Sequence, residues 1–180
     1  MNLANKITVL RIALIPFFVF FMSTELFGEM GRWIALTIFC IAGITDLIDG
    51  YLARKYNLIT SFGKFMDPLA DKLLVGAAMI CLVGLGQLQA WIVAVIISRE
   101  FIISGFRLLA VDKGVIIVAS LWGKIKTTFQ ITMIIVLIAD FGGVFYTLGQ
   151  ILIWASLVIT VISLIDYVLK NKSVLIQEES

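Results

Sequence analysis

The 180-residue chain has no histidine, only two cysteines and two prolines, and just 14% charged residues, against roughly a quarter in an ordinary soluble domain. Without histidine there is no imidazole base, no histidine-ligated zinc and no Ser-His-Asp arrangement. Cys40 and Cys81 lie far apart in apolar runs; they form no metal or redox motif and read as small core residues. The net charge is +2 and the basic residues are scattered, which gives no support to nucleic acid as a partner, and none is expected. What fills the chain is apolar: 61% of its residues are hydrophobic and the mean hydropathy is +1.08. A water-soluble fold is excluded.

Apolar runs of about 20 residues are the length of a membrane-crossing helix. Six candidate spans fall at 6–22, 32–55, 64–84, 90–111, 118–139 and 145–169, predicting an all-α integral membrane protein, a six-helix bundle forming one domain over residues 1–180. The start, MNLANKITVLRIALIPFFVFF, has no small-residue cleavage site before Glu25 and reads as a retained first helix. Lys6, Arg11, Arg54, Lys55, Lys64, Arg107, Lys113, Lys124, Lys126, Lys170 and Lys172 gather near the N-terminus, the second and fourth connections and the tail. The other connections carry Arg32 beside Glu25, Glu29 and Asp140. Positive-inside asymmetry then places both termini in the cytoplasm.

Four carboxylates interrupt these spans. Asp46 and Asp49, with Gly50 and Ala53 at offsets of four and seven from Asp46, share one helical stripe; Gly63, Asp67 and Asp71, spaced by four, share another on the next helix. Asp49 precedes the cytoplasmic end of helix 2 by about six residues, roughly 9 Å of rise. Antiparallel packing of helix 3 would bring Asp67 and Asp71 to a similar depth. In a structural reading each Asp pairs with a cation such as Arg54, Lys64 or Lys72, or caps a helix. Four on two facing stripes point instead to a functional site, since each costs a few kcal/mol at about mid-bilayer. Hard oxygen donors without nitrogen or sulfur suit Mg²⁺, Mn²⁺ or Ca²⁺, and paired divalent ions recur in in-line displacement at phosphorus. Gly50 and Ala53 clear space beside the carboxylates, and Arg54 offers a fork for phosphate.

The stretch DLIDGYLARKYNLITSFGKFMDPLAD fits D-x2-D-G-x2-A-R-x8-G-x3-D-x3-D at every specified position and so resembles the signature of the CDP-alcohol phosphotransferase family. The resemblance implies a membrane enzyme, dimeric with six helices per subunit, that moves a phosphoalcohol group from a CDP-linked donor to an alcohol and releases CMP. It implies that Asp46, Asp49, Asp67 and Asp71 hold two divalent cations, Mg²⁺ or Mn²⁺, with Asp71 also the general base. Asn5, Asp46, Asp49, Gly50, Ala53, Arg54 and Gly63 would contact the CDP moiety.

Outside the signature, NKITVLR is similar to the N-x2-T-x2-R opening of the bacterial phosphatidylglycerophosphate synthase branch, and REF, SGFR and GKIKT resemble its central segment. This branch implies CDP-diacylglycerol as donor, sn-glycerol 3-phosphate as acceptor and a bacterial cell membrane with a cytoplasm-facing site. Other branches would make cardiolipin, phosphatidylserine or phosphatidylinositol phosphate; a divalent-cation transporter would also use membrane carboxylates but has no need of Gly50, Ala53, Arg54 and Gly63 at their spacings. An anionic acceptor needs cations, and Arg107, Lys124 and Lys126 are the candidates. Glu100, Ser104 and Arg107 align on one helical face, so Glu100 is expected to orient Arg107, with Arg99 a residue step away. Lys124 and Lys126 cannot share a face; one enters the acceptor site and the other meets lipid headgroups. GKIKT is not a nucleotide P-loop, because Val118 stands where the earlier glycine is required.

Overall fold

A computed structural model describes the backbone of residues 3–55, 61–112 and 121–171, and the side chains within these segments except at 3–6, 46–55, 61–65, 109 and 111–112. Six α-helices account for almost all of it, with no strand among the described residues: α1 (Leu3–Ser23), α2 (Gly28–Lys55), α3 (Ser61–Gly84), α4 (Ala90–Asp112), α5 (Leu121–Ala139) and α6 (Val144–Lys170). The chain divides into two compact units, Met1–Gln87 and Leu88–Ser180.

The predicted spans match these helices to within a few residues, and the largest difference is at α2. Its first turn forms at Gly28 rather than at 32, because a short 3₁₀ turn at Glu25–Phe27 already directs the chain into it. Glu29 in that turn favours an early start, a carboxylate being stabilised by the helix N-terminal dipole. Between α3 and α4 the chain turns at Gly86, whose φ of 72° lies in the region open to glycine.

Within the first unit, α1 packs along both α2 and α3, which touch each other more sparsely among the described residues. Gly31 allows close approach here: a Cβ at that position would sit 3.0 Å from the Phe21 carbonyl oxygen. Phe18, Met22, Ala35, Phe39, Ala70, Leu74, Ala78 and Leu82 are buried. In the second unit α5 packs extensively on α6, and α4 packs on α6. Gly149 of α6 lets α5 close in, a Cβ there falling 3.1 Å from Leu137 Cδ2.

Beyond their apolar cores, these units expose large apolar side chains and bury several polar ones, unlike a soluble domain. Ile151, Trp154, Val158, Ile162, Ile165 and Leu169 form an exposed apolar stripe on α6, while Ser156, Thr160, Ser163 and Tyr167 are buried on its other side. Arg11, Arg99 and Lys126 are buried too. Polar groups turned inward and aliphatic groups turned outward suit a lipid solvent, where helices associate through packing and interhelical hydrogen bonds rather than by the hydrophobic effect. Glu25–Thr45, Leu121–Ala139 and Val144–Lys170 are long and apolar enough to cross a bilayer, and Ile7–Ser23 is a shorter apolar helix. Asp67, Asp71 and Lys72 dilute the apolar run of α3, as Arg99, Glu100 and Arg107 dilute that of α4. The chain is an all-helical membrane protein.

Candidate functional site

Asp67 and Asp71 lie one turn apart on α3, both half-buried. Between them Pro68 has no N–H to give the carbonyl four residues earlier, so one helical hydrogen bond is missing beside Asp67. The Thr8 hydroxyl of α1 donates to Asp67 Oδ1. Thr8 is completely buried, and its short side chain leaves the hydroxyl little choice of direction, so Asp67 is held by a fixed donor. One turn further along α1, the guanidinium of Arg11 donates through Nε to the Ala42 carbonyl of α2 at 3.3 Å. Arg11 is 1% exposed. The N-x2-T-x2-R opening therefore has a physical meaning at two of its positions: Thr8 links α1 to α3 and Arg11 links α1 to α2.

The side chains of Asn5, Asp46, Asp49, Gly50, Ala53, Arg54 and Gly63 lie outside the described residues, although the backbone of each is helical. Among the described residues no three carboxylate or sulfur side chains form a cation cage. What is described, Asp67 and Asp71 on one helix with a hydroxyl fixing the first, is an oxygen-only donor set with an outer partner. That chemistry fits a hard divalent cation.

The second unit gathers charge of the other sign. Arg107 and Lys124 are exposed, whereas Lys126 is 2% exposed. Lys126 Nζ donates to Glu100 Oε1 of α4. The same Oε1 accepts from Arg99 Nη1 at 2.8 Å, and Arg99 Nη2 donates to Ser163 Oγ of α6 at 2.5 Å. Ser104 Oγ donates to the Glu100 backbone carbonyl at 2.6 Å. One carboxylate thus receives two cations, from its own helix and from α5, and a serine of α6 completes the tie.

This corrects one expectation. Glu100 does not orient Arg107: its carboxylate receives Arg99 and Lys126, while Arg107 is exposed. Helical spacing compares Cα directions, and Arg99 has a side chain long enough to swing back across the step to its neighbour. Lys124 and Lys126 do face different ways, as two residues on one helix must. Further along the same seam Gln130 Nε2 lies 3.5 Å from Thr160 Oγ1, a hydroxyl that donates to the Ser156 carbonyl at 2.6 Å. Cys40 and Cys81 are free and half-buried, without a partner cysteine.

Acidic residues on α2 and α3 and a second, buried cationic cluster mark functional positions inside a helical membrane protein. The CDP-alcohol phosphatidyltransferase family model matches residues 1–162, and the chain belongs to that family. It is 43% identical to the CDP-diacylglycerol–glycerol-3-phosphate 3-phosphatidyltransferase of Bacillus subtilis, over 94% of this chain and 95% of that protein. Proteins of the same name from Rickettsia bellii and Haemophilus influenzae are each 39% identical, covering 92% of this chain and 93% and 91% of their own lengths.

Proposed function

We propose that this chain transfers the phosphatidyl group of CDP-diacylglycerol to sn-glycerol 3-phosphate, giving phosphatidylglycerol phosphate and CMP. The observation that carries this reading is the 43% identity, over nearly the whole of both chains, to a relative named for that reaction. The complete D-x2-D-G-x2-A-R-x8-G-x3-D-x3-D pattern from Asp46 to Asp71 supports it.

Two divalent cations, Mg²⁺ or Mn²⁺, are proposed to be held by Asp46, Asp49, Asp67 and Asp71 and to supply charge neutralisation at the diphosphate. Asn5, Gly50, Ala53, Arg54 and Gly63, with Asp46 and Asp49, bind the CDP moiety. Thr8 fixes the carboxylate of Asp67 so that it need not reorganise when the donor arrives. Asp71 accepts the proton of the 1-hydroxyl of glycerol 3-phosphate as that oxygen bonds to the β-phosphorus. The bond from the β-phosphorus to the bridging oxygen breaks, and its electron pair leaves with CMP. The acceptor phosphate is bound by cations of the second unit. Of the three candidates, Lys126 is the one that the protein interior holds in place, while Lys124 and Arg107 are free to meet headgroup phosphates.

The same reading gives the chain six membrane spans, with both termini and the active site on the cytoplasmic face of a bacterial cell membrane. Its support is the distribution of Lys and Arg among the connections. The family resemblance further implies a homodimer. Purified protein in detergent with CDP-diacylglycerol and Mg²⁺ or Mn²⁺ should release CMP when glycerol 3-phosphate is added. Inositol phosphate, serine and phosphatidylglycerol should give none. Release with one of these in place of glycerol 3-phosphate would move the chain to another branch of the family.

A further inference from the structure

The acceptor's phosphate needs a cation at a fixed place, and lysine is poorly suited to provide one unaided, since its flexible four-carbon stem loses rotamer entropy when held. In this protein Lys126 does not hold itself. Its ammonium group meets Glu100 Oε1, which also binds Arg99 Nη1 at 2.8 Å. Arg99 is in turn fixed to α6 by Ser163 Oγ at 2.5 Å, and Ser163 is fully buried. A carboxylate inside an apolar helical unit is costly, and a single interhelical hydrogen bond could be made more cheaply by neutral polar side chains, as Gln130 and Thr160 do between α5 and α6. Glu100 is placed where a charge is required. It gives Lys126 a partner that an amide or hydroxyl could not match, and the rigid guanidinium of Arg99 keeps that partner from turning away.

Given glycerol 3-phosphate as the acceptor, on which this role rests, we propose that Glu100 is a positioning residue. Clamped by Arg99 and Ser163, it aims Lys126 at the phosphate of the acceptor. This role requires no contact of Glu100 with the reacting oxygen or the donor. Its removal should therefore change how well the acceptor binds and leave the chemistry of the bound complex largely intact.

The test is steady-state CMP release by the full-length protein in detergent, with each substrate varied in turn. The proteins compared are wild type, Glu100→Gln, Glu100→Asp, Lys126→Ala and the Glu100→Gln/Lys126→Ala double variant. Loss of a charge-assisted contact predicts that Glu100→Gln raises KM for glycerol 3-phosphate about tenfold, with kcat and KM for CDP-diacylglycerol within about twofold of wild type. Glu100→Asp, which keeps the charge, should recover much of the loss. In the Lys126→Ala background Glu100→Gln should add nothing, because the residue acts through the missing lysine. Additive effects of the two substitutions, or equal rises in both KM values, would overturn the role. If Glu100→Gln does not fold, the same cycle with Glu100→Asp decides, since its acceptor-specific effect must also vanish without Lys126. An active wild type with an unaltered Glu100→Gln variant would refute this role alone. A wild type that never responds to glycerol 3-phosphate would overturn the acceptor assignment and this role with it.

Discussion

The first unit, α1 to α3, and the second, α4 to α6, solve the same problem with opposite charges. Each must keep ionisable groups inside helices that face lipid. In the first, the described carboxylate Asp67 accepts from a neutral donor, the Thr8 hydroxyl, and the buried cation Arg11 donates to a backbone carbonyl of α2. In the second, Arg99 and Lys126 are held by a carboxylate, Glu100. The difference matches the roles proposed for the two sides. A carboxylate that is to bind a cation can be oriented by a hydroxyl without being neutralised by it, so its charge stays free for the ligand. A lysine that is to meet a doubly charged phosphate can share its ammonium protons between an internal carboxylate and the ligand, having three to give.

This contrast predicts that substitutions in the two units damage different kinetic constants. The largest effect should come from Asp71→Asn, which removes the proposed proton acceptor. Turnover should fall by about 10³-fold or more, while CDP-diacylglycerol still binds when titrated in a non-turnover assay. Binding lost with turnover retained would reverse the assignment. Next is removal of divalent cations with a chelator. CMP release should cease and return on addition of Mg²⁺ or Mn²⁺, whereas the mobility of the folded protein in detergent should not change. Lys126→Ala should raise KM for glycerol 3-phosphate at least about tenfold by loss of a charge-assisted contact, leaving KM for the donor nearly as it was. A matching rise in the donor constant would erase the division between the units. Thr8→Val keeps the shape of the side chain and deletes the donor to Asp67. The cation concentration needed for half-maximal activity should rise about tenfold, as for other outer-shell partners of ligating carboxylates. The smallest effect should be that of Gly149→Ala, whose added methyl crowds Leu137. Overpacking of about 1 kcal/mol should lower the thermal midpoint slightly and alter neither KM.

Much of this is legible in the sequence. The spans follow from apolar run length, and the pairing of Asp67 with Asp71 on one stripe follows from helical period alone. The inward cations were legible only as a list. Period fixes which residues of one helix share a face, but it does not say which helix comes to meet that face. Hence Thr8 could be quoted as part of an opening motif without its partner on α3, 59 positions away. Arg99 was placed off the face of Glu100 by Cα geometry and returned to it by the length of its side chain. Ser163 gave no signal at all, since a lone serine in an apolar helix reads equally well as packing. The role of α1 was the least visible element. Adjacent helices α2 and α3 were expected to meet, and they do so sparsely among the described residues, while α1 packs along both of them.

The most direct test of the account is the transfer of label from glycerol 3-phosphate into lipid. Purified protein would be incubated with radiolabelled glycerol 3-phosphate, CDP-diacylglycerol and Mg²⁺ or Mn²⁺, and the solvent-extractable label compared with CMP released. The account predicts that label enters the lipid phase in equimolar amount with CMP, and only when CDP-diacylglycerol is present. CMP released to another alcohol with no label in lipid, or cation flux through reconstituted vesicles without any CMP, would contradict it.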